Sequence, residues 1–121
     1  MAETEGPAVP ERLLITRTTA DDGTRVVAVV GEVDLDGSAR FRDTLLSCLE
    51  GAPGTVVDLS GVTFMDSSGI NALITAHQVA RAGGTRLRLA APQEAVLRVL
   101  QLVGVDTLIP CYAGLDAALS A

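Results

Sequence analysis

Thr55-Val56-Val57-Asp58-Leu59-Ser60-Gly61-Val62-Thr63-Phe64-Met65-Asp66-Ser67-Ser68-Gly69-Ile70 is the stretch from which the rest of the chain is read. Thr55 to Leu59 is a β-branched, apolar run of the kind buried inside a sheet. A short loop follows, delivering one carboxylate and two hydroxyls, on Asp66, Ser67 and Ser68, to the start of a helix. Asp and Ser at such a point accept the unpaired N–H groups of a first helical turn, so the segment serves as an ordinary cap. It also suits a switch. A serine at a helix N-terminus is exposed, and a phosphate there changes the local charge by roughly −1.5 to −2 units. The functional expectation centres on Ser67, although cap geometry alone does not separate it from Ser68.

Working outward toward the N-terminus, Leu13-Leu14-Ile15-Thr16 and Arg25 to Val30 flank Asp21-Asp22-Gly23-Thr24, whose Asp-Gly pair predicts a β-hairpin. After Gly31-Glu32-Val33-Asp34, the residues Phe41, Leu45, Leu46 and Leu49 keep helical spacing, predicting a helix over 36–49 capped by Asp36 or Ser38. Gly51-Ala52-Pro53-Gly54 ends it. Toward the C-terminus, Ile70, Leu73, Ile74, His77 and Ala80 give a second helix that stops at Gly83-Gly84. Arg86-Leu87-Arg88-Leu89 alternates like a strand with one wetted face. Pro92 to Val103 reads as a third helix begun by Pro92, Thr107-Leu108-Ile109 as a short last strand, and Gly114 to Ala121 as a terminal helical turn. The order β, β, α, β, α, β, α, β, α predicts one α/β domain over 11–121, a small mixed sheet covered by crossover helices. Residues 1–10, rich in Glu, Pro and Ala, are expected to form a flexible leader.

Composition narrows the chemistry. The 121 residues carry nine basic side chains, all arginine, against fifteen acidic ones, for a net charge of −6. Arg40/Arg42 and Arg86/Arg88 are its densest basic pairs, so direct nucleic-acid binding is not expected. Without lysine, a phosphate-loop lysine and Schiff-base chemistry are excluded. One histidine and two distant cysteines, Cys48 and Cys111, build no four-ligand zinc site, and both thiols are expected as small buried hydrophobes in a reducing cytoplasm. No apolar run approaches the ~18 residues of a membrane span, and the N-terminus lacks the pattern of a signal peptide.

Gly31-Glu32-Val33-Asp34, followed by Asp58-Leu59-Ser60 leading through Phe64-Met65 into Asp66-Ser67-Ser68-Gly69, resembles the STAS domain family, shared by anti-sigma factor antagonists and sulphate transporter tails. The resemblance covers about Leu13 to Leu119. It implies a single STAS domain in which Ser67, directly after the aspartate of the turn, is the phosphorylated serine, with Ser68 as the alternative. It further implies that Asp34 faces the partner, with Asp66, Ser67, Ser68, Gly69 and Ile70 completing the docking surface. The family's Leu followed by a small residue is replaced here by Ile70-Asn71, a change expected to alter partner fit more than the switch.

The implied function is that of an anti-sigma factor antagonist, an anti-anti-sigma factor. Unphosphorylated, it binds an anti-sigma factor that is also a serine kinase and so frees a sigma factor; phosphorylation inactivates it, and a PP2C-type phosphatase reverses that. ATP and magnesium belong to the kinase, so the chain itself needs no cofactor and is no enzyme. A Ser67 nucleophile with His77 as base fails on distance, since ten residues of helix rise about 15 Å. A nucleophile elbow fails too, since Met65 stands where its first glycine belongs. Two further readings stay open: a non-enzymatic STAS subunit of a lipid or anion transport complex, and a STAS module of a stress-signalling scaffold.

Overall fold

The computed structural model describes residues 12–121, and the leader expected over 1–10 lies outside the described residues. Strands β1 (Leu13–Thr19) and β2 (Arg25–Val33) form the antiparallel hairpin, in register from Leu13 opposite Gly31 to Thr19 opposite Arg25. Its turn is closed by the Gly23 N–H on the Ala20 carbonyl at 2.9 Å and the Thr24 N–H on Asp22 Oδ1 at 3.0 Å. Then β3 (Thr55–Met65), β4 (Leu87–Ala90) and β5 (Cys111–Tyr112) each add in parallel, giving a mixed five-stranded sheet whose spatial order is the chain order. Helices α1 (Leu35–Leu49), α2 (Ser67–Ala82) and α3 (Glu94–Leu102) are crossovers between parallel strands. The one-turn α4 (Val105–Leu108) follows α3, and α5 (Leu115–Ser120) ends the chain.

The β-branched run lacks polar alternation because both faces of β3 are covered. Val57, Leu59 and Val62 belong to the main core with Val27 and Val29 of β2, Phe41 and Leu45 of α1, Leu73 of α2 and Leu100 of α3. Val56 points the opposite way, as successive strand residues must, and joins Ala90, Ala118, Tyr112, Leu115 and Leu119 in a small cluster beneath α5.

Four elements differ from the sequence reading. β3 does not end near Leu59 but continues to Met65. Its pairing with β2 shifts register between Ala28 and Val30 and again between Gly31 and Glu32, and these bulges break the alternation that marks a strand. Arg88 has no wetted face: it is 4% exposed, and its Nη1 donates to the carbonyls of Ala118 at 2.6 Å and Ala121 at 3.0 Å, fastening α5 to the sheet. Burial lowers its affinity for its proton, with the neighbouring Arg86 charge adding to the effect. α3 starts at Glu94, since Gln93 holds the cap position with extended backbone. Thr107-Leu108 lies in α4, not in a strand; Gly104, at φ +80°, reverses the chain, and the Thr107 hydroxyl donates to its carbonyl at 2.6 Å. The last strand is Cys111–Tyr112. Among the described residues no helix is long and apolar enough to cross a membrane.

Candidate functional site

Because β2 and β3 are parallel, their C-terminal ends lie together, with Val33 opposite Met65. The next residue of each is an aspartate that caps a helix. Asp34 Oδ1 accepts the N–H groups of Asp36 at 3.1 Å and Gly37 at 3.3 Å. Asp34 is thus the cap of α1, in place of Asp36 or Ser38, because extended backbone at Asp34 turns its carboxylate onto the first turn. Asp66 Oδ1 accepts the N–H groups of Ser68 at 2.9 Å and Gly69 at 3.3 Å, and its own N–H bonds the Val33 carbonyl at 3.1 Å, tying the two corners together.

Gly31 prepares this corner. Its φ of +112° lies in the region that favours glycine, and a Cβ there would sit 1.9 Å from the Arg12 carbonyl oxygen. That oxygen receives the Glu32 N–H at 2.8 Å, so the residue leading into β1 closes on the strand just before Asp34.

The two serines are chemically distinct. Ser68 Oγ donates to Asp66 Oδ1 at 2.5 Å, whereas the exposed Ser67 hydroxyl, at the first position of α2, makes no hydrogen bond among the described residues. The Ser68 hydroxyl is also the main reason that Asp66 titrates below its ordinary value of 3.8; partial desolvation opposes it, and the N–H groups of Gly69, Ser68 and Leu35 support it. Asp66 therefore stays ionised through the neutral range, with its negative charge one residue from the free hydroxyl.

The remaining expected site residues divide by face. Asp34, Asp66 and Ser68 are partly exposed and Ser67 is exposed, and they share this end of the domain. Gly69 and Ile70 point inward and present no side chain to a partner. Ile70 is 6% exposed, and a Cβ on Gly69 would meet Met65 Cγ at 2.7 Å and Val33 Cγ1 at 2.8 Å. They seat the turn on the core. Between the helices lies a groove of about 200 Å³ lined by Ser38, Arg42, Ser68, Asn71, Ala72 and Thr75. His77 lies ten residues beyond Ser67 along α2, too far for a hydrogen bond.

One residue of this surface was missed in the sequence. Leu35, at the first position of α1, is 76% exposed. Its signal is its misfit: Phe41, Leu45 and Leu49 form the buried stripe, whereas Leu35 falls at i, i+3, i+7 spacing with Ser38 and Arg42 on the face toward α2.

The family model described as "Mlab, STAS domain" matches residues 16–110. The chain belongs to the STAS domain family. Among its relatives, a Mycobacterium tuberculosis protein named as an anti-anti-sigma factor is 29% identical over 113 residues, covering 91% of this chain and 76% of the relative. The anti-sigma-B factor antagonist of Bacillus subtilis is 24% identical over 87 residues, covering 72% and 80%. In structure, this STAS domain overlays the crystal structure of an anti-sigma factor antagonist from Mycobacterium paratuberculosis with a TM-score of 0.83 at 27% identity, over 94% of this chain and 97% of the other. The phosphorylated form of the Bacillus cell fate determinant SpoIIAA shares the fold, with a TM-score of 0.69 at 21% identity, over 88% and 97%.

Proposed function

We propose that this STAS domain is an anti-sigma factor antagonist switched by phosphorylation of Ser67. The observation that carries the reading is the pairing of an exposed Ser67 hydroxyl with an adjacent Ser68 hydroxyl already bound to Asp66. A kinase must reach a hydroxyl and take its proton; Ser67 presents one unencumbered, while Ser68 would first have to give up its carboxylate. The relatives named as antagonists support the same role.

In this mechanism the unphosphorylated protein offers Asp34, Asp66, Ser67 and Ser68 to an anti-sigma factor that is also a serine kinase, and docking releases the sigma factor. ATP and magnesium reside on the kinase, a PP2C-type phosphatase restores the serine, and this cytoplasmic chain is substrate and binding module rather than enzyme. Phosphate on Ser67 sits at the positive end of the α2 dipole, which stabilises it in the free protein, so the fold survives. Docking does not, because a hydrated dianion beside Asp66 must be stripped of water in the interface.

The test is incubation of the purified protein with the anti-sigma factor kinases encoded in its source genome and magnesium ATP, with mass-spectrometric mapping. Phosphate on Ser67 is the expected result. Stable association with a transporter ATPase and no phosphate from any kinase would replace this reading with that of a transport-complex subunit.

A further inference from the structure

We infer that Leu35 is the apolar anchor of the docking surface, and that it fits an apolar socket on the anti-sigma partner rimmed by arginine or lysine. The inference rests on the antagonist reading above and specifies the partner's chemistry.

Leu35 is a large aliphatic side chain left 76% exposed at the opening position of a helix whose other large apolar side chains are buried, as Phe41, Leu45 and Leu49 are, or packed half-buried against the core, as Leu46 is. Among the described residues, none covers it. Its position is nevertheless fixed: Asp34 caps the turn in front of it, and its N–H lies near enough to Asp66 to help hold that carboxylate ionised. Leu35 thus stands beside the turn carrying Ser67, which occupies the same opening position in α2.

Charge identifies the rim. Asp34 and Asp36 flank Leu35 in the chain, Asp66 faces it from the next corner, and none of the three makes an ion pair among the described residues. An apolar knob beside three carboxylates that no described cation pairs is complementary to an apolar socket rimmed by cations. A phosphate on Ser67 would bring a hydrated dianion to the edge of the contact that Leu35 needs dry, coupling modification to release.

The test is calorimetry of the unphosphorylated protein against the kinase that modifies Ser67. Leu35→Ala should bind at least tenfold more weakly with an unchanged thermal midpoint, and Leu35→Met, close in volume, should bind nearly as wild type. Leu102→Ala is the control, since Leu102 is 80% exposed at the far end of α3 and should leave affinity unchanged. Wild-type affinity should fall as salt rises. Leu35→Ala binding within twofold of wild type, equal weakening by Leu102→Ala, or an affinity indifferent to salt would each overturn the inference while leaving the antagonist reading intact. Failure of the wild type itself to bind any such kinase would overturn both.

Discussion

The first turns of α1 and α2 correspond position by position: Asp34 with Asp66 as caps, then Leu35 with Ser67, Asp36 with Ser68, and Gly37 with Gly69. Both carboxylates accept the second and third N–H groups of their helices. They differ in what surrounds the caps. Asp66 also binds a hydroxyl, and Gly69 is pressed between Val33 and Met65, whereas Asp34 binds backbone alone and Gly37 faces Leu13 Cδ2, at 2.7 Å from where a Cβ would be. The same frame thus holds one turn as a rigid, charged platform beside a free hydroxyl and the other as a mount for an exposed leucine. Capping is the structural constant; in the function proposed above, the opening residue of each helix carries the difference.

The sharpest way to break that comparison is to charge one opening residue. Phosphorylated Ser67 should bind the anti-sigma kinase about a hundredfold more weakly, near 2.7 kcal/mol. Ser67→Asp should mimic this in part, and Ser67→Ala should bind normally and resist inactivation. Equal affinities for all four species in calorimetry would remove Ser67 from the switch.

The glycines come next. Gly69→Ala should cost about 2 kcal/mol because branched Val33 cannot swing clear. Gly37→Ala should stay within about 1 kcal/mol, since the flexible end of Leu13 yields and alanine favours helix. Urea denaturation of the two variants decides it; equal losses would mean the two platforms are equally rigid.

A smaller effect is expected at the α1 cap. Asn caps almost as well as Asp, so Asp34→Asn should leave the thermal midpoint nearly unchanged while lowering partner affinity about fivefold, or roughly 1 kcal/mol. Unchanged affinity would reduce Asp34 to its capping role.

The smallest effect is in pH dependence. The folded protein lowers the Asp66 pKa below 3.8, so its charge adds stability above that value, and the gain is lost as pH falls through the lower folded value. Asp66→Asn should therefore be less stable than wild type at neutral pH, with the gap closing in acid as pH falls through the lowered folded value. A gap independent of pH would show that the charge is not what the turn uses.

Much of this arrangement was legible in the chain. The Asp-Gly hairpin, the α1 and α2 stripes and the Asp66-Ser67-Ser68 turn are local signals, written within a few residues of one another. What escaped depended on distant partners. Arg88 resembled half of an exposed alternation because its acceptors, in and just beyond α5, lie about thirty residues away. The second half of β3 was hidden by bulges that exist only against β2. β5 comprises two residues, too few to show any period. At the site, the cap role of Asp34 was missed because Asp36 and Ser38 compete for it in sequence, and Leu35 because an apolar residue next to a helix is ordinarily taken as part of its core.

The link between Asp66 and the end of β2 also bears on how the domain breathes. The Asp66 N–H holds the Val33 carbonyl, and the residue after each strand, Asp34 or Asp66, holds the N–H groups of its own helix start. Neither corner can open alone without exposing a group that the other had satisfied. In hydrogen exchange the amides of Asp36, Gly37, Asp66, Ser68 and Gly69 should therefore protect and exchange as one cooperative unit, so that a partner gripping either helix start quiets the motion of both.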